Sequence, residues 1–329
     1  MLDRGAAPSL ALMAAARALS CDQIAAEVTS ALRDAAVPTI LLKGPSIARW
    51  LYPSGGRSYS DTDILVPGHD FGRAQEVLQS LGFTELLGDF HPAERGAPSA
   101  EVTFIRPPVP PGPRGPADFV DLHRSLPMLR VSDELVWQAL SAGTATAAVG
   151  GAEVRVLGRT ALALHVVLHA VQHRFTGHPT EDLRRAVADL PGPDWRPVAE
   201  LAARLGVSDI LGFGLRQEPA GADLADRLGL PLRAPAESHY WARYAPRGSI
   251  SLAGLWSDPT WRAKAQRIRW ALLPSPSKIR YVSGVPDAHG RSLLLGYARW
   301  WRHVARTIVP AARCVIGHQR AAEGDGEAG

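Results

Sequence analysis

The sequence predicts an α+β fold, with a sheet domain in its first half and a mostly helical second half. Three observations carry this reading. Up to about residue 130, short apolar runs of strand length alternate with segments of helical period. Past Pro127 the strand signals give way, one hairpin apart, to helical periodicity. From Thr160 the Pro/Gly breaks fall near 191–197, 218–221 and 231–236, spaced as punctuation between helices.

The elements follow in order. Residues 7–36 read as two short helices, the second with Ile24, Val28, Ala31 and Leu32 at helical spacing. Pro38 opens a short apolar strand, Thr39–Lys43, closed by Gly44-Pro45. A proline suits the first helical turn, so 45–52 is expected to be helical. Ser60–Pro67 reads as a strand, polar at its start and apolar beyond, and a helix begins near Asp70. Phe83–Leu87, Glu101–Arg106 and Asp118–His123 are further strands, the last two joined by the Pro/Gly-rich segment 106–117. Ser132 is placed to cap a helix running to about Leu140. Gly150-Gly151 separates two strands as a hairpin turn. The tail, RAAEGDGEAG, is expected to be disordered.

Composition narrows the class. The 329 residues are 46% hydrophobic and 21% charged, which suits a globular chain with a substantial core and excludes a wholly disordered one. Two cysteines, Cys21 and Cys314, cannot make a disulfide framework, so no disulfide-linked partner is expected. No apolar run approaches the ~20 residues that span a bilayer. A secretory signal at Pro8–Ser20 is disfavoured because Arg17 interrupts it, and an amphipathic helix is preferred. The expected location is the cytoplasm. Net charge is only +4, too little to draw the whole molecule to polyanions. Of 36 basic residues just three are lysine: Lys43, Lys264 and Lys278.

Chemistry concentrates in three places. Asp61-Thr62-Asp63 starts an apolar strand, and alternation puts both carboxylates on one face. Such a pair repels unless a cation neutralises it, and oxygen-only ligands favour Mg²⁺ or Mn²⁺. Upstream, Lys43-Gly44-Pro45-Ser46 forms a strand end, a glycine turn and a helix start, where backbone N–H groups suit a phosphate chain. Asp121 lies inside the apolar strand Phe119–His123, where burying a carboxylate is costly unless it is paired or metal-bound. Pairing with Arg57 or Arg124 is the bland alternative.

In combination these motifs resemble a known family. The order LLKG, R-x-x-SDTDILV and VDLH is similar to the bacterial uncharacterised nucleotidyltransferase family, within the DNA polymerase β-like superfamily. The segment His165–Arg174, with Glu181-Asp182-Leu183, shares the likeness, which spans roughly 38–190. The resemblance implies a polymerase β-like sheet domain and transfer of a nucleoside monophosphate from an NTP, with pyrophosphate release. The acceptor would be a small molecule, sugar or peptide. It implies two Mg²⁺ (or Mn²⁺) ions on Asp61, Asp63 and Asp121, the last also placed to receive the acceptor proton. Lys43, Gly44, Ser46, Arg57 and Ser60 would serve the nucleotide, and His123, His173 and Asp182 the acceptor side. Lys-Gly-Pro-Ser departs from the superfamily's Gly-Ser or Gly-Gly turn. The expected domains are N-terminal helices 1–37, a nucleotidyltransferase core 38–130, a helix and hairpin linker 131–159, a helical domain 160–319 and a tail 320–329.

Other readings compete. A D-x-D also marks nucleotide-sugar glycosyltransferases, but there it ends an apolar strand, whereas here the apolar residues follow it. His165, His169 and His173 form one helical stripe without a carboxylate or cysteine at close spacing to complete a metal site; a core or domain-contact role is preferred. Residues 262–302 carry nine Arg or Lys against Asp287 alone, with Trp261, Trp270, Trp300 and Trp301 in and beside them. Such a stretch suits weak contact with a membrane surface or RNA, although a solvated helical subdomain is the plainer reading. A non-catalytic binding protein, antitoxin-like or a biosynthetic accessory, also fits the fold.

Overall fold

A computed structural model describes residues 9–53, 56–88, 100–107, 117–232, 260–283 and 289–324. The chain divides into two compact units, one of residues 1–86 with 100–234, the other of 87–99 with 235–329. Residue 160 lies inside the first unit.

The first unit opens with α1 (Leu10–Asp34), where two helices were expected. Its start is capped by the Ser9 side chain, which accepts from the Leu12 N–H at 3.2 Å. No Gly or Pro interrupts residues 10–34, so nothing divides the helix. Then come β1 (Ile40–Leu41), α2 (Pro45–Leu51), β2 (Thr62–Leu65), α3 (Phe71–Ser80), β3 (Thr84–Glu85), β4 (Glu101–Arg106) and β5 (Asp118–His123). After α4 (Asp133–Ser141), the hairpin β6 (Thr144–Val149) and β7 (Ala152–Leu157) precedes α5 (Arg159–Gln172). Helices α6 (His178–Asp189), α7 (Trp195–Arg204), α8 (Ser208–Leu215) and α9 (Pro219–Arg227) complete the unit. Ser132 caps α4 as expected, accepting from the Leu135 N–H at 3.4 Å.

All seven strands form one sheet, ordered β3-β4-β5-β2-β1-β7-β6. β2 pairs parallel with β5 and β1 parallel with β7; the other pairings are antiparallel. The hairpin read as a linker is thus part of the sheet, because β7 adds to β1 through Leu41 and Val156. Apolar periodicity identifies a strand but not its neighbour. One sheet face is sealed by a core in which Ile24, Val28 and Leu32 of α1 and Ala74 and Leu78 of α3 meet Ile64, Val120 and Leu122. Since side chains alternate along a strand, Asp63 and Asp121 project from the opposite face.

The second unit's described elements are α10 (Trp261–Leu272), α11 (Pro276–Ser283) and α12 (Gly290–Gly324). Helix α12 continues to Gly324, into the tail expected to be disordered, and the final five residues lie outside the described set. Among the described residues no helix is long and apolar enough to cross a membrane.

Candidate active site

The parallel register of β2 and β5 sets Asp63 beside Asp121. Asp61 precedes β2 and turns to the same place. One ligand oxygen from each of the three carboxylates lies within 4.8 Å of the others, and among the described residues no other group of His, Cys, Asp and Glu could hold a metal. The donors are all oxygen, which fits a hard divalent cation such as Mg²⁺. Asp63 Oδ2 is buried without a hydrogen-bond partner, as a group awaiting a ligand would be.

Burial differs across the trio. Asp61 is 35% exposed and Asp63 only 3%. Asp121 accepts a 2.6 Å hydrogen bond from Thr103 Oγ1, its cross-strand neighbour on β4. The Thr103 donor went unrecognised in the sequence; the antiparallel pairing of β4 with β5 is what sets it there. Burial and the neighbouring Asp63 charge push Asp121 up to about 6, against the pull of Thr103. Asp63 moves the other way. Burial alone would raise it, but Lys43 and His123 overcome that and hold it well below the usual carboxylate range.

The lysine is the main surprise. Lys43 Nζ lies 3.1 Å from Asp63 Oδ1 and 3.4 Å from Asp61 Oδ2, with its side chain 15% exposed. Burial opposes its charge, yet Asp63 and Asp61 keep it firmly protonated. The chain therefore supplies a cation of its own to the carboxylate pair. Gly44, next in sequence, has φ +69°, and a Cβ there would approach the Tyr59 ring at 3.3 Å. The positive φ calls for glycine, and the nearby ring leaves little room for a side chain. Pro45 at the first position of α2 removes one N–H donor from the turn. Ser46 Oγ is buried and unpartnered.

Two expected nucleotide and acceptor residues pair with each other. Arg57 Nη2 donates to Asp182 Oδ2 at 2.8 Å, its Nε lies 3.1 Å from Oδ1, and Tyr52 Oη donates to Oδ1 at 2.8 Å. Both ends of the ion pair are almost wholly buried. This cluster ties the loop before β2 to α6. Ser60 contributes its carbonyl, which accepts from Arg17 Nη2 at 2.5 Å.

His123 belongs to the acidic cluster, with Nε2 3.2 Å from Asp63 Oδ1 and Nδ1 3.5 Å from Glu101. His165 and His169 are buried on α5, while His173, with its ring against that of His169 at 4.4 Å, is exposed. Both His165 ring nitrogens lack a partner. Burial first, then the Lys43 charge, lowers His165 to about 3, so it is neutral at pH 7. The stripe is thus a neutral wall within the field of Lys43 and Asp63. Cys21 and Cys314 are both free thiols. Cys21 is pushed up to about 11 by burial, which suits an inert core residue.

Three solved structures are similar to this chain at low identity. An antigenic nucleotidyltransferase-like protein from Paracoccidioides brasiliensis is 16% identical with a TM-score of 0.40, covering 65% of this chain and 94% of its own. A solution structure of the antibiotic-resistance factor ANT(2'')-Ia is 16% identical with a TM-score of 0.37, covering 58% and 95%. A crystal structure of ANT(2'')-Ia with adenylyl-2''-tobramycin is 17% identical with a TM-score of 0.36, covering 56% and 98%. No curated protein matches the chain. The family described as uncharacterised nucleotidyltransferase matches residues 9–218, which include every residue of the carboxylate cluster, and the chain belongs to that nucleotidyltransferase family.

Proposed function

We propose that the protein transfers a nucleoside monophosphate from an NTP to a hydroxyl on a small molecule, sugar or peptide, releasing pyrophosphate. The observation that carries this reading is the convergence of Asp61, Asp63 and Asp121 within 4.8 Å, in a chain of nucleotidyltransferase family. These carboxylates would hold Mg²⁺ or Mn²⁺, two ions by the family resemblance. When bound there, the metal supplies Lewis-acid polarisation of phosphoryl oxygens and acidifies the acceptor hydroxyl.

The remaining work falls to the chain. Asp121, tied through Oδ1 to Thr103, would also receive the acceptor proton, as the family resemblance implies. Lys43, beside the Gly44 turn, would leave the carboxylates for the charge on the departing pyrophosphate. The unpartnered Ser46 hydroxyl would donate to a phosphate oxygen, with Gly44 allowing close backbone approach and Ser60 flanking the nucleotide. Arg57 and Asp182 act at one remove: their buried pair fixes the loop that leads into Asp61. His123 orients Asp63, and His173 lies on the exposed end of the α5 stripe. This reading would set the reaction in the cytoplasm, where NTPs are available.

A non-catalytic binding role is favoured by one observation: Lys43 already pairs with both Asp61 and Asp63 and offsets part of their repulsion without a metal. One experiment separates the readings. The protein is incubated with each α-labelled NTP, Mg²⁺ and a small-molecule extract. Label transfer with pyrophosphate release, lost in Asp61→Asn, supports transfer. NTP binding with neither product supports the binding role.

A further inference from the structure

Among the described residues, helix α12 carries one apolar face packed against α11 and a second that is exposed. On the packed side, Ala311 and Val315 are buried, and a Cβ at Gly296 would lie 2.6 Å from Ile279 of α11. Glycine there lets the two helices approach closely. On the other side, Leu294, Leu295, Trp301, Ile308, Val309 and Ile316 are all exposed, Leu294 by 68%. At 3.6 residues per turn these six fall on an arc of about 140° that runs along the helix. Arg291, Arg299, Arg302, Arg306 and Arg313 are also exposed and occupy one edge of that arc. From 290 to 324 the only acidic residue is Glu323.

We propose that this face docks α12 in the plane of an anionic lipid surface. Three features select that occupant. A continuous apolar stripe with arginines along its margin is the arrangement of an interfacial helix, with the stripe in the acyl boundary and the guanidinium groups at headgroup phosphates. Arginine stems extend along apolar surface while their charged ends remain in the wet layer. A second copy packed helix against helix with the arginine edges together would set one arginine column against another, with only Glu323 on the helix to offset the repulsion. RNA would require aromatic faces for base stacking, and five of the six stripe residues are aliphatic.

The test uses the full-length protein, sedimented with vesicles of phosphatidylcholine alone or of phosphatidylcholine mixed with phosphatidylglycerol. The proposal expects sedimentation with the mixed vesicles, little with the neutral ones, and release at about 0.5 M salt, where screening removes the electrostatic part. Leu294→Ser with Leu295→Ser, and separately Arg302→Glu with Arg306→Glu, should each lower the partition coefficient at least about tenfold. All four positions are exposed, and unchanged circular dichroism checks that each variant is folded. Failure to sediment with either vesicle overturns the proposal, as does equal binding to both. Dimerisation in light scattering without lipid, abolished by the leucine variant, would assign the face to a second copy. Displacement from vesicles by single-stranded RNA that the leucine variant still binds would assign the arginines to nucleic acid. Because the readout needs no NTP and no metal, it is independent of whether the transferase reading survives.

Discussion

Replacing Lys43 by Met should make the protein bind a divalent cation more tightly in the absence of nucleotide. The wild-type ammonium lies 3.1 and 3.4 Å from two carboxylates that would hold the metal, so an incoming ion must displace it. A hydrogen bond to a charged group is worth about 1.5–3 kcal/mol net. With each tenfold in affinity equal to about 1.4 kcal/mol, relief of that competition should tighten Mn²⁺ binding roughly ten- to a hundredfold. Stability should move the other way. Asp63 is 3% exposed, and removing one partner from a buried ion pair costs about 3 kcal/mol, so metal-free Lys43→Met should melt earlier. Mg²⁺ should then raise its Tm by more than it raises that of the wild type. The assay is Mn²⁺ titration followed by the paramagnetic signal of the free ion, with Asp63→Asn as the non-binding control. An affinity for Mn²⁺ in Lys43→Met equal to or weaker than wild type would refute the displacement argument. With NTP present the sign should reverse, since the variant lacks an ammonium for the phosphates.

Other outcomes follow from the same geometry. His165, lowered to about 3 by burial and by Lys43, is neutral in the fold, whereas the unfolded imidazole titrates near 6.5. Between those values the unfolded chain binds the extra proton, so stability is full above pH 6.5 and is lost as pH falls, by up to about 1.4 kcal/mol per pH unit. Urea midpoints at pH 7.5 and 5 should therefore converge in His165→Leu relative to wild type; an unchanged gap would show that His165 is not the source. Arg57→Met leaves Asp182, almost wholly buried, without its cation, and should cost about 3–5 kcal/mol in urea unfolding. A loss below about 1 kcal/mol, as for an exposed pair, would contradict the anchoring role. Thr103→Val removes the donor that favours ionised Asp121, so the acid limb of the activity profile should move to higher pH. A limb that stays in place would remove Asp121 from the proton's path.

How much of this was legible in the sequence depends on the type of residue. Asp63 was readable because alternation sets it on one face with Asp61, and Asp121 because a carboxylate inside an apolar strand is costly. The parallel β2–β5 register then needed only to set them level. Lys43 was legible as an unusual residue but not as a partner, since chain position does not give the direction of a long side chain. Pairing across distant segments was invisible for the same reason: Arg57 and Asp182 are 125 residues apart, and each alone suits a ligand as well as it suits the other. The hairpin Thr144–Leu157 was found by its Gly-Gly turn, yet its place beside β1 rests on tertiary packing that no local pattern encodes. The single long α1 follows from the lack of a Gly or Pro between residues 10 and 34, a signal available in the sequence.

If Asp61, Asp63 and Asp121 form one divalent-cation site, anomalous diffraction from crystals grown with Mn²⁺ and a non-hydrolysable NTP analogue should show manganese within coordination distance of all three carboxylates, with Lys43 Nζ moved off Asp63 towards the phosphates. Peaks elsewhere, or a Lys43 that keeps its place between Asp61 and Asp63 while nucleotide is bound, would contradict it.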